Sequence, residues 1–338
     1  MAEHTEADWL AAHVFYHDRL DPLLVEAVAP LVAELRERGL AAEWFFLRYW
    51  DGGPHLRFRV LPRDASARAE AGELVRGRFE RYLAARPAAD RMDPADYQRS
   101  AARIAGWEGL EAYAELRPNN SVEFRPYVRE RHRFGAGAAM AAVERHFAES
   151  SRLALRLLAG GLDADQRFTA AYSMLVLAWL GFRDDSAWRS AWAEMDTRIP
   201  IGGELDAAEL ERRWQRQRST LTALTRRLRA VAGRRGRGDL AEWTGSIDRL
   251  KRVLTAEVAA GRFTPPAQAW EGAGPLPPGT PVSVLPVIDI CAHLFCNRIG
   301  LSLADESYVR VLAMRAVRDT EGEEGERHAV AGDSRLLP

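Results

Sequence analysis

The sequence predicts an α+β fold, with an antiparallel sheet and hairpin in the N-terminal half and a largely helical C-terminal half. Two β-forming runs, EWFFLRYW and HLRFRVL, flank Asp51, Gly52, Gly53 and Pro54, a strong turn sequence between strands. From Gly137 onward apolar residues recur at helical spacing. With 338 residues, 47% hydrophobic and 28% charged, the chain is long enough to bury a sizeable core. One domain is expected over residues 1–320, with an insertion at about 87–122 and a disordered tail over 321–338.

The elements follow in order. Residues 12–16 (AHVFY) read as a short strand. DPLLVEAVAPLVAELRERG then places Leu24, Val28, Val32 and Leu35 on one helical face, with Gly39 as its stop. The hairpin comes next, then a charged helix over 65–86. The segment 86–122, with Pro87, Pro94, Pro118, Asn119 and Asn120, is looser and holds one short helix. Met140, Val143, Phe147, Ala154 and Leu157 define a long amphipathic helix that ends at Gly160 and Gly161. The apolar run from Phe168 to Phe182, bounded by Arg167 and Arg183, is shorter than the ~20 residues of a bilayer helix and reads as a buried core helix. A Pro- and Gly-rich linker over 261–281 precedes the last helices.

Composition narrows the function classes. With 47 basic and 48 acidic residues the formal net charge is -1, so no whole-molecule field draws the chain to nucleic acid or to anionic membrane. GRRGRG at 233–238 lacks interleaved aromatic residues and reads as a solvated loop, not an RNA patch. Cys291 and Cys296 match neither CxxC nor a disulfide framework and are expected to be buried thiols. The start, MAEHTEADWL, lacks the basic and apolar regions of a signal peptide, so a cytoplasmic location is expected. Eight scattered histidines offer no metal-ligand spacing, and there is no GxxxxGK[ST], GxGxxG, GxSxG or HExxH. Acid-base chemistry without a metal or other cofactor is what remains.

Three places could carry it. Strand alternation sets His55, Arg57 and Arg59 on one face of the hairpin and Leu56, Phe58 and Val60 on the other. Same-face neighbours lie ~6.5 to 7 Å apart, so two guanidinium groups could grip a glutamyl group. Pattern alone favours the blander reading, a charged face turned to water. Arg129 to Arg133 crowd charge just before a helix, where an anion could bind, although ordinary surface charge is the commoner meaning. In IDICAHLFCNRIG, Asp289, His293 and Asn297 repeat every four residues on one helix face. A histidine so placed is more often a satisfied core residue, but one between a carboxylate and an amide has the tools of an oriented base.

Three segments together carry a resemblance: WFFLRYWDGGPHLRFR at 44–59, PYVRERHRFGAGAAMAAVERHFAESS at 126–151 and HLFCNRIGLSLADE at 293–306. In order and character they resemble the lantibiotic dehydratase C-terminal family, also described as the thiopeptide-type bacteriocin biosynthesis domain, over roughly residues 12–317. That resemblance implies an α+β fold and work on a ribosomally made precursor peptide with a leader. In full-length members an upstream domain esterifies Ser or Thr with glutamate from glutamyl-tRNA, and this domain eliminates the glutamate to leave a dehydroamino acid. At 338 residues the chain is expected to be a stand-alone elimination subunit served by a separate glutamylating dehydratase, with no direct contact to nucleic acid and none to membrane.

Similar stand-alone proteins instead join two dehydroalanines by [4+2] cycloaddition, making a pyridine and expelling the leader. A third possibility is a non-catalytic subunit that binds the precursor peptide. The family's elimination residues correspond to Arg57 and Arg59 in PHxRxR, Arg133 in R[YF]G and His293 in HxxxNR. Their retention favours elimination. Arg48, His55, Tyr127, Asn297 and Arg298 are expected to bind substrate. The chain departs from the family pattern at Phe134, Gly135 and Ala136, where Tyr-Gly-Gly is usual, and at Arg129 and Glu130, where Pro-Glu is usual.

Overall fold

A computed structural model of the chain describes residues 5–89, 92–108, 115–183, 188, 207–232, 236–266, 276–277 and 279–333. Two compact units emerge. The first comprises 1–130, 147–162 and 297–300, and the second 131–146, 163–296 and 301–338.

The first unit is built on a four-stranded antiparallel sheet of β1 (Leu10–Phe15), β2 (Ala41–Tyr49), β3 (His55–Pro62) and β4 (Ser121–Phe124), in the order β2-β3-β1-β4. The hairpin forms as expected. Its turn needs glycine: Gly53 has φ +102°, and an added Cβ would lie 2.7 Å from Leu116. β4 was not expected, because four residues with Glu in third place show no clear alternation. Register with β1 defines it, pairing Val14 with Val122 and His13 with Glu123.

The helix after β1, here α1, runs through Leu20–Leu23, a π-helical turn over Leu24–Val28 and Ala29–Glu37. It stops where Gly39 takes φ +62°. α2 (Ala67–Ala85) packs on β1, β3 and β4, turning Ala71, Val75 and Phe79 inward. Leu56 and Phe58 beneath it are fully buried, and Phe79 meets Phe58 edge-on at 5.6 Å. Each buried aromatic or aliphatic side chain of this layer contributes about 1.5–3 kcal/mol. The insertion holds α3 (Pro94–Glu108), with 90–91 and 109–114 outside the described residues.

The second unit is helical: α4 (Arg131–Phe134), the first part of α5 (Gly137–Ala159), α6 (Ala164–Leu180), α7 (Ala207–Val231), α8 (Asp239–Ala259), most of α9 (Leu285–Arg298) and α10 (Leu303–Asp333). α6 starts on a reciprocal cap, with Asp163 accepting from the Gln166 N–H and Gln166 from that of Asp163. Every residue from Ala171 to Leu180 is buried, as the apolar run predicts. Buried polar edges at this helix find partners: Tyr172 donates to Leu221 O at 3.1 Å, and Trp243 Nε1 of α8 donates to Met174 O at 2.9 Å. Cys291 and Cys296 are buried free thiols. α10 continues to Asp333, into the segment expected as a tail, and 334–338 lie outside the described residues.

Of GRRGRG, 233–235 lie outside the described residues, while Gly236, Arg237 and Gly238 are exposed. Residues 267–275 and 278 of the expected linker are likewise outside. Among the described residues no helix is long and apolar enough to cross a membrane.

Candidate functional site

In the first unit, the face of the sheet opposite α2 is the one that alternation assigned to His55, Arg57 and Arg59. It is not turned to water. His55 is fully buried and Arg59 is only 8% exposed. Register explains the company they keep. His13 pairs with Arg57 across β1 and β3, and Phe45 with Arg59 and Tyr49 with His55 across β2 and β3. Because opposite residues share a face, these side chains form one polar and aromatic layer.

Arg57 lies with its guanidinium carbon 3.3 Å from the centre of the Tyr49 ring, and Asp51 is 3.7 Å away. Arg59 sits 4.7 Å over Tyr127 and 5.2 Å over Phe45. Cation–π contact offsets part of the cost of burying these cations. Among the described residues Arg59 has no ion pair, and its Nε has no hydrogen-bond partner. Burial lowers the pKa of both, that of Arg59 to about 10, so Arg59 stays protonated at neutral pH.

His55, expected to bind substrate, is buried between Gly53 and Arg57. Its Nδ1 lies 2.8 Å from Gly53 O, which makes Nδ1 the protonated nitrogen, and Nε2 accepts from Arg57 Nε at 3.3 Å. His13 stacks on it at 5.1 Å. Burial, opposed for His55 by the Gly53 bond and reinforced by Arg57, pushes His55 down to about 3; burial and then Arg57 push His13 to about 2. Both are neutral at working pH. His13 escaped the sequence reading, although AHVFY puts it at an alternating position; only its partner strand was unknown.

Arg48, Asn297 and Arg298, also expected to bind substrate, make the following contacts within the fold. Asn297 and Arg298 hold the free edge of β2. Asn297 accepts from Arg48 N–H at 3.0 Å and donates to Arg48 O at 2.9 Å, while Arg298 Nε donates to Phe46 O at 3.0 Å. Ser151 accepts from Phe46 N–H at 3.1 Å. Side chains thus replace a neighbouring strand at an edge. The Arg48 side chain pairs with Asp21 at 2.5 Å.

In the second unit, His293 on α9 has a side chain that is 37% exposed, and its Nδ1 lies 2.9 and 2.8 Å from the two oxygens of Glu306 on α10. The partners that helical spacing suggested are engaged elsewhere, Asn297 at β2 and Asp289 with Arg310 and Trp179. Sequence reasoning missed Glu306. Burial lowers the pKa of His293, but the Glu306 carboxylate outweighs it and the net shift is upward. Arg133 is exposed in α4, ahead of Gly135, whose φ is +78° and whose added Cβ would lie 2.7 Å from Phe263.

A cleft of about 1060 Å³ in the first unit is lined by His17, Met92, Gln98, Arg117, Asn119 and neighbours, and by none of the expected site residues. No group of three or more metal-ligating side chains occurs among the described residues.

Comparison with known proteins places this geometry in context. Residues 9–317 match the model of the family described as lantibiotic biosynthesis dehydratase C-term. Among solved structures, the pyridine synthase TbtD from thiomuracin biosynthesis aligns at 20% identity over 93% of this chain and 99% of its own, with a TM-score of 0.71. TsrL aligns at 19% identity over 92% of this chain and 94% of its own, with a TM-score of 0.60. The tRNA-dependent lantibiotic dehydratase MibB from Microbispora sp. 107891 aligns at 21% identity over 96% of this chain but 29% of its own, with a TM-score of 0.57. A comparison with curated proteins found no match.

Proposed function

Since the chain belongs to the lantibiotic biosynthesis dehydratase C-terminal family, we propose that it eliminates glutamate from glutamylated Ser or Thr in a ribosomally made precursor peptide. The observation that carries this reading is Arg59, a buried cation with no ion-pair partner among the described residues. A buried unpaired charge is costly unless an anion meets it. With Arg57 two residues away on the same face, the pair suits a glutamyl carboxylate.

In the proposed step His293 Nε2 takes the Cα proton. The C–H electrons become the Cα=Cβ bond, and the Cβ–O bond breaks with its electron pair leaving on glutamate. Arg57 and Arg59 receive the leaving carboxylate, and Arg133 and Tyr127 complete its binding. A carboxylate is a far better leaving group than hydroxide, so proton abstraction and charge stabilisation are what the protein must supply. The proposed partners are a leader-bearing precursor peptide and a separate glutamylating subunit.

Incubation with a peptide bearing a glutamyl ester on Ser tests this by mass spectrometry. The wild-type chain releases glutamate and leaves dehydroalanine. His293→Ala leaves the ester, a loss of ~10²- to 10⁴-fold in rate. A second reading, pyridine formation by [4+2] cycloaddition, is favoured by the alignment with TbtD over 99% of that chain. It replaces the first if the glutamyl ester is untouched while a dehydroalanine-rich azole peptide becomes a macrocycle and loses its leader.

A further inference from the structure

Behind His293 in the second unit stands a chain of buried charged groups that the proposed elimination does not by itself require. Glu306 and Asp289, with side chains 6% and 5% exposed, flank the guanidinium of Arg310. Arg310 Nε donates to Glu306 Oε1 at 3.0 Å, and its NH1 donates to both oxygens of Asp289 at 2.8 and 3.0 Å. Trp179 Nε1 donates to Asp289 Oδ1 at 2.8 Å and closes the chain.

We propose that Glu306 is a positioning residue for His293: it fixes the tautomer protonated on Nδ1, so that the Nε2 lone pair is the one presented to substrate, and Arg310 and Asp289 hold its carboxylate in place. The proposal rests on the elimination reading for what the lone pair attacks, but not for the tautomer itself.

An ionised carboxylate can only accept hydrogen bonds, so the imidazole nitrogen facing both Glu306 oxygens must be the donor. Glu306 is ionised because Arg310 and His293 together outweigh the burial that would protonate it, leaving its pKa lowered. Two carboxylates and one guanidinium sum to a single negative charge, which an imidazolium neutralises, so the network strengthens His293 as a base. Cys296, the other titratable group coupled to this network, has its thiol pushed up by burial and stays neutral.

A merely structural ion-pair network would tie the same helices together without depending on which nitrogen carries the proton. Nitrogen-15 NMR of the full chain labelled at histidine separates the two, with no substrate present. Wild-type His293 should show a proton on Nδ1 and a titration midpoint above the ordinary histidine value of ~6.5. Glu306→Gln should lower that midpoint and mix the tautomers. On the glutamylated peptide, Glu306→Gln should cut turnover by ~10- to 10⁴-fold and move the acidic limb of the pH profile to lower pH, with partial rescue in Glu306→Asp. If Glu306→Gln does not fold, Asp289→Asn removes one network charge while leaving Glu306 against the ring, and should lower the midpoint by less.

A proton on Nε2 in the wild type, or an unchanged midpoint in the variant that folds, overturns the proposal. A wild-type chain inert toward the glutamylated peptide but with the expected tautomer and midpoint overturns the elimination reading alone, and the positioning role stands.

Discussion

Asn297 closes both hydrogen-bonding groups of Arg48, accepting from its N–H at 3.0 Å and donating to its carbonyl at 2.9 Å, as a neighbouring strand would. The residue therefore belongs to the stability of the sheet edge. Asn297→Ala leaves two backbone groups unsatisfied and should cost about 1–3 kcal/mol of unfolding free energy. Chemical denaturation measures it. A variant as stable as the wild type would show that water replaces the amide without loss.

Arg59 should show the opposite balance. Replacing even a buried ion pair by well-packed apolar side chains is often neutral or stabilising, by about 1–4 kcal/mol, and Arg59 has no such pair among the described residues. Arg59→Met is therefore expected to keep or raise the melting temperature while abolishing binding of the glutamylated peptide. Calorimetric unfolding and peptide titration on the same sample decide it. A variant that melts well below the wild type would mean that Arg59 is a structural residue.

His13 and His55 set a pH dependence of stability. Their folded pKa values, about 2 and about 3, lie far below the unfolded ~6.5. Unfolded chains then bind protons that the folded state refuses, so stability is full above pH ~6.5 and falls as pH drops toward 3. His293, whose pKa is raised, opposes this: its contribution is full below pH ~6.5 and is lost as pH rises through its folded value. Between pH 6.5 and 5, where carboxylates stay ionised, the melting temperature should fall, and His13→Gln should flatten the fall. An equally steep fall in that variant would place the effect elsewhere.

Gly135→Ala should destabilise the turn before α5. The new Cβ would lie 2.7 Å from the Phe263 ring at a φ of +78°, and such strain costs about 1–3 kcal/mol. Thermal unfolding tests it. Truncating the ring as well, in a Gly135→Ala and Phe263→Ala pair, should cost less than the two single losses combined if the clash is the cause.

What the sequence determined by itself was whatever depends on local period and turn chemistry. The alternation from His55 to Val60, the Gly52 and Gly53 turn, the buried helix beginning near Phe168 and the grouping of Arg57 with Arg59 all follow from spacing of two or 3.6 residues along one segment. Tertiary structure decided what those faces meet. Whether the arginine face is wet or buried depends on β2 register and on Tyr127, 68 positions beyond Arg59. That Glu306 and not Asp289 serves His293 depends on a turn at Gly300 that folds α10 back beside α9. That Asn297 and Arg298 seal a strand depends on partners about 250 positions away. Helical spacing shows which residues share a face, but the pairing of distant segments is set by how whole layers bury their apolar surface, and no local pattern carries that information.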